Sequence, residues 1–166
     1  MSEDLYLIPS DPFPDQMNDD MAGVYDYWLG KCPDKSASQF PDIADLDLMD
    51  LYKVADHLLL CDVVRQENQA TIYRWRFWGT SLATFFAREM TGKFIHEFYT
   101  PEANKDISAS YDWVLENKDV HYWERRGGLA SNNQRHLLYE RLICPVLGPS
   151  GNIDHLFGII TFSDSI

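Results

Sequence analysis

Cysteine is scarce in this chain: three residues in 166, at positions 32, 61 and 144. Thiols so few and so widely spaced cannot build a disulfide framework, and they suit a reducing, cytoplasmic compartment. There is no CxxC, and the five histidines form no HxxxH pair, so the spacing that zinc requires is missing. No run approaches the roughly 20 consecutive apolar residues of a membrane span. The opening, MSEDLYLIPSDPFPD, is acidic and broken by proline, unlike a secretory signal or a basic transit peptide. Basic residues are also few, with 14 Lys and Arg against 26 Asp and Glu, for a net charge of −12. That field repels phosphates, so nucleic acid, acidic membranes and polyanionic substrates are disfavoured partners.

What is present is uneven. Residues 1–56 hold 13 acids against 3 bases, whereas residues 57–166 hold 13 acids against 11 bases. Residues 1–18, with Pro9, Pro12 and Pro14, read as an acidic arm. Residues 19–56 read as a helical flank. Met21, Val24, Tyr25 and Trp28 fall at i, i+3, i+4 and i+7, one apolar stripe of a short helix that Gly30 would stop. Asp47 looks like the N-cap of a second helix with Leu48, Leu51, Tyr52 and Ala55 on its buried side.

From His57 the pattern changes. Strands are expected near 57–64 and 71–79, where TIYRWRFW alternates aromatic with charged or mixed residues, and the two form a hairpin. A helical middle follows, in TSLATFFARE, FIHEFY and the stretch from Pro101, whose core stripe would be Ala103, Ile107, Tyr111, Val114 and Leu115. Three more strands are expected near 120–126, 136–147 and 153–163, separated by turn-rich GGLASNNQ and GPSGN. Strands interrupted by a helical block indicate an α+β domain with an antiparallel sheet, helices on one face and two flanking helices in front.

That order resembles the PAS domain, and most closely a group of short bacterial PAS-like proteins. Arg76, Gly79 and Thr80 in RFWGT are similar to the family's strand-end signature. REMTGK, from Arg88 to Lys93, resembles the segment closing the next helix, and Glu140 and Pro145 in YERLICPVL resemble the fourth strand. The resemblance runs from about Met21 to Asp164. Gly79 would allow a sharp exit from the strand, Thr80 would cap the helix through its hydroxyl, and Gly92 would give it a left-handed stop with Lys93 at its negative end.

Catalytic motifs fail in turn. A P-loop is ruled out because Phe94 stands where Ser or Thr is needed and Ala87 where the first Gly belongs. GPSGN lacks the spacing of a nucleophile elbow. Cys61 and Cys144 read as buried, inert thiols. The resemblance brings cofactors into view without supporting them. No Asn-Cys-Arg segment exists for flavin photochemistry, and flavin is disfavoured. His96 stands near where haem-binding PAS domains place their iron ligand, yet a partly exposed or hydrogen-bonded histidine explains the residue without haem, and haem is disfavoured.

The expected site lies between the sheet and the segment from Phe85 to Trp113, the concave side that such a topology creates. Arg76 would anchor an anionic group, or else pair with Glu140. His96, Tyr99, Tyr122 and Tyr139 would exchange hydrogen bonds with the ligand, and Trp113 would cover an apolar body. The resemblance implies a cytoplasmic sensory module, without catalysis of its own, that binds a small molecule or a protein partner. The first helix would lie at or near a homodimer interface, and output would pass to another protein. Two further readings compete: a small cone-shaped isomerase or hydrolase with an Asp and a His or Tyr in an apolar cavity, and a purely structural dimerisation domain.

Overall fold

The computed structural model describes residues 17–97, 101–127 and 137–164, without the side chains of 102, 103, 125–127, 137, 138 and 164. Helix α1, Asp19–Lys31, begins where the Asn18 side chain accepts the Met21 N–H, and Asp19 and Asp20 sit at its positive end. It runs one residue beyond Gly30, to a C-cap at Cys32. Its stripe is fully buried at Met21, Val24 and Trp28.

The expected second helix is instead a series of single 3-10 turns, Ile43–Asp45, Leu48–Leu51 and Ala55–His57. Asp47 does cap the middle one, accepting from the Met49 N–H at 2.9 Å. The tighter period sets Leu48 and Leu51 on one side and turns Tyr52 out, where it is 67% exposed.

Strands β1 (Leu58–Val64), β2 (Ile72–Trp78), β3 (His121–Gly127), β4 (Leu137–Leu147) and β5 (Ile153–Asp164) form one sheet in the order β2-β1-β5-β4-β3. Every pairing between these strands is antiparallel. All ten strand boundaries fall within one residue of the expected ones. Between β2 and β3 run α2 (Thr80–Phe86), a 3-10 turn at Ile95–Glu97, and α3 (Pro101–Asn117). The outer edge of β2 is covered by the turn before Ile95: the Gly92 N–H reaches Trp75 O at 2.6 Å and the Trp75 N–H reaches Lys93 O at 3.0 Å. That cover removes an unpaired edge.

Alternation along the strands makes two cores. Leu59, Cys61, Tyr73, Trp75, Ile143, Leu156 and Ile160 point to an inner face, closed by α2 and α3. Leu58, Leu60, Leu142, Cys144, Phe157 and Ile159 point to an outer face, closed by α1. Burial raises the Cys61 and Cys144 thiols well above their ordinary range and pushes Cys32 up to about 11, so all three are neutral at physiological pH.

Pro145 explains how α1 docks. The last pairing of β4 with β3 is His121 with Ile143, so Pro145 lies beyond β3 and no ladder bond is lost on that side. Its carbonyl accepts the Trp28 indole N–H at 2.9 Å.

Gly79, not Thr80, occupies the N-cap of α2, with no side-chain capping bond. The reason is space: a Cβ on Gly79 would lie 2.2 Å from Asp56 O and 2.9 Å from Ala55 O. α2 also ends earlier than expected, at Phe86, with Ala87 in the left-handed region (φ 56°). Gly92 is left-handed too (φ 82°), but in the turn that follows, and Lys93 is therefore not at a helix end.

Candidate functional site

Among the described residues the inner face mixes aromatic and aliphatic side chains around one buried polar group. On β4, Tyr139, Arg141 and Ile143 share the inward parity, and Arg141 is 2% exposed. Trp123 lies directly opposite it on β3, and the guanidinium carbon sits 3.5 Å from that ring's centroid. The Tyr111 ring, on α3, lies 5.1 Å from the same carbon. Desolvated cation–π contacts of this kind contribute on the order of 2 kcal/mol. Arg141 Nη2 donates to Ser110 Oγ at 2.7 Å, and that hydroxyl donates onward to Ile107 O at 2.6 Å.

His121, 1% exposed, adds an imidazole. Its Nδ1 lies 3.3 Å from Arg141 Nη2. A guanidinium only donates, so this contact places the imidazole proton on Nε2. The ring stands edge-on between Trp113 and Trp123, with centroids at 5.7 and 5.6 Å.

α3 supplies its share through helical spacing. Ile107, Ser110, Tyr111 and Val114 fall at i, i+3, i+4 and i+7, one stripe facing the sheet. Tyr111 meets Tyr73 edge to face at 5.2 Å, and the Tyr73 hydroxyl donates to Asp112. Burial raises both phenols far above their ordinary range, joined at Tyr73 by the Asp112 hydrogen bond, so both keep their protons. A guanidinium, an imidazole, a hydroxyl and two phenols are thus gathered on the inner face, the first two in contact with indole rings.

A five-stranded antiparallel sheet in the order 2-1-5-4-3, with the helical block in the second connection, meets a family profile that covers most of the chain. The profile of the PAS domain matches residues 18–161. The chain belongs to the PAS domain family. A solved structure similar to this PAS domain is a sensory box histidine kinase/response regulator from Burkholderia thailandensis E264. It is 13% identical, covers 71% of this chain and 86% of that one, and has a TM-score of 0.41. No curated protein matches the chain. Family membership places it among sensory and regulatory modules. No helix among the described residues is long and apolar enough to cross a membrane.

The residues expected at the PAS site are scattered. Trp113 and Tyr139 lie on the inner side: Trp113 against His121, and Tyr139 edge-on to Phe86 at 6.3 Å. Tyr99 lies outside the described residues. Arg76, with its side chain 52% exposed, points away from the inner face. Its partner is Asp62, at 3.0 Å, and not Glu140, because β1 and β5 separate β2 from β4. Glu140 instead accepts the Tyr122 hydroxyl at 2.7 Å. Tyr122 packs in the outer core, since its parity on β3 is opposite to that of His121 and Trp123. His96 is exposed and stacks on Phe94 at 5.3 Å, because its 3-10 turn buries Ile95 instead.

Arg141, His121 and Ser110 were missed. A signal for the first was available. In YERLI, Glu140 and Arg141 are adjacent, so one of them must point inward, and Arg141 shares the parity of Tyr139 and Ile143.

An Asp–His pair is also present, on the opposite side of the sheet. His155 Nδ1 lies 2.9 Å from Asp62 Oδ1, and both residues are buried. The same carboxylate receives Arg76 at 3.0 Å and Arg74 at 3.4 Å.

Proposed function

We propose that this PAS domain is a cytoplasmic sensory module that holds a small molecule against the inner face of its sheet and acts through other proteins, without catalysis of its own. The observation that carries this reading is the built polar group at Arg141, Ser110 and His121. Its guanidinium is oriented by two rings and a hydroxyl within an otherwise apolar face of aromatic and aliphatic side chains. Small-molecule sites combine an apolar lining with a few fixed polar groups in this way.

The enzyme reading is less well supported. The Asp62 carboxylate is shared between His155 and two guanidinium groups, which is an ion-pair network rather than a free general base. Output would run through the outer face, where α1 rests on β4 and β5. A second copy of the chain fits the flank, where Met49 is 75% exposed beside Tyr52.

Native mass spectrometry of the purified full chain tests both parts. The expected spectrum is a dimer carrying an added mass below about 1 kDa per chain, the size range of pocket ligands, which is released on denaturation. Bare chains that also show no thermal shift across a panel of metabolites would sink the sensing reading. Monomers at tens of micromolar would sink the dimer.

A further inference from the structure

A cleft of about 460 Å³ opens at the end of the sheet where β4 turns into β5. Four segments build it: the loop after α1, the residue following β1, the C-terminus of α3, and the β4–β5 turn. The Leu147 N–H donates to Pro41 O at 2.8 Å, fastening the loop to the end of β4 and holding Phe40 against both cores. Phe40, Leu115 and Leu147 are partly buried on the inner core and Ile153 belongs to it, so the floor is apolar and held in place. The volume lies within the range of about 300–1,000 Å³ typical of ligand sites.

The charge of the lining runs against the chain. The molecule has 26 acids and 14 bases, yet among the described residues no Asp or Glu lines the cleft, and Arg65 and Lys118 both do. Arg65 is already matched. Its Nη1 donates to Asp154 Oδ1 at 2.6 Å and its Nη2 to Ile153 O at 2.8 Å. Lys118 differs, since its ammonium makes no hydrogen bond or ion pair among the described residues. Its backbone is left-handed (φ 52°), and its N–H closes α3 on Val114 O at 2.9 Å. Glycine fits such a position without strain, whereas lysine bears a steric cost there.

We infer that this cleft binds a small organic monoanion, a carboxylate carried on an aromatic or short aliphatic body. Lys118 is its counter-ion, and Phe40, Leu115, Leu147 and Ile153 take the apolar body. The site is separate from the Arg141 group on the inner face, and it stands or falls independently of the reading proposed above.

The test titrates the full chain with 4-fluorobenzoate, followed by fluorine NMR and by amide chemical shifts, with 4-fluorobenzyl alcohol as the neutral match. Lys118→Gly removes the cation and suits the left-handed turn, so the variant is expected to fold. Saturable benzoate binding should perturb the amides of Phe40, Leu147 and Ile153. It should weaken about tenfold in Lys118→Gly and by a similar factor for the alcohol, as befits one charge-assisted hydrogen bond. Three results would overturn the inference: undiminished affinity in Lys118→Gly, equal affinity for the alcohol, or perturbations centred on His121 and Arg141.

Discussion

Replacing Trp28 by alanine should cost about 3–5 kcal/mol, the range for deleting a large buried aromatic. Trp28 is 0% exposed, packs with Met21 and Val24 on the outer core, and caps the Pro145 carbonyl at 2.9 Å. Removing it leaves a cavity beneath α1 and a buried carbonyl with no indole donor, and the second effect adds to the first. For a chain of this length the fall in Tm should be about 10 °C. Urea denaturation of Trp28→Ala against the wild type measures it. A loss within about 0.5 kcal/mol, the usual size of a surface change, would mean that α1 is not held to the sheet as described.

A second large loss is expected for Gly79→Ala. The new methyl would sit 2.2 Å from Asp56 O, and all three nearest atoms belong to the backbone and cannot rotate aside. The φ of −58° is open to any residue, so the requirement is for space and not for handedness. Separating α2 from the turn at Ala55–His57 would also strain the Ser81 hydroxyl bond to Asp56 at 2.5 Å. A destabilisation of about 3 kcal/mol is expected, at the upper end for overpacking. Thermal unfolding with intact two-state behaviour gives the value, and a change within 0.5 kcal/mol, ordinary for surface sites, would show that the strand exit has slack.

The sheet was legible because two-residue alternation and turn chemistry are local signals. TIYRWRFW, HLLYERLICPVL and GPSGN carry them in full, and every strand boundary follows within one residue. The flank after α1 was less legible. Leu48, Leu51, Tyr52 and Ala55 satisfy a helical period over too short a stretch to exclude 3-10 turns, and Tyr52 ends up outside. The site was the least legible, for a reason of topology. Arg76 and Glu140 have complementary charges, but whether they meet depends on the order β2-β1-β5-β4-β3, which puts two strands between them. Parity along β4 would have chosen Arg141 over Glu140, and parity along β3 would have chosen His121 and Trp123 over Tyr122. Those choices need only the knowledge of which face is inner. Ser110 had no signal of its own, since its role comes from the docking of α3 on β4.

The claim that the inner polar group holds a ligand is tested most directly by Arg141→Met, with unfolding free energy and small-molecule occupancy measured on the same preparation. Methionine keeps the apolar bulk of the side chain, and well-packed hydrophobic replacements of buried charge are often neutral or stabilising. The account predicts loss of the retained molecule, with occupancy falling at least tenfold, and a stability change within about 1.5 kcal/mol, the ordinary size for a volume-conserving swap. Full occupancy in Arg141→Met, accompanied by a stability loss of about 3 kcal/mol or more, the signature of a broken buried network, would contradict it and make Arg141 part of the core.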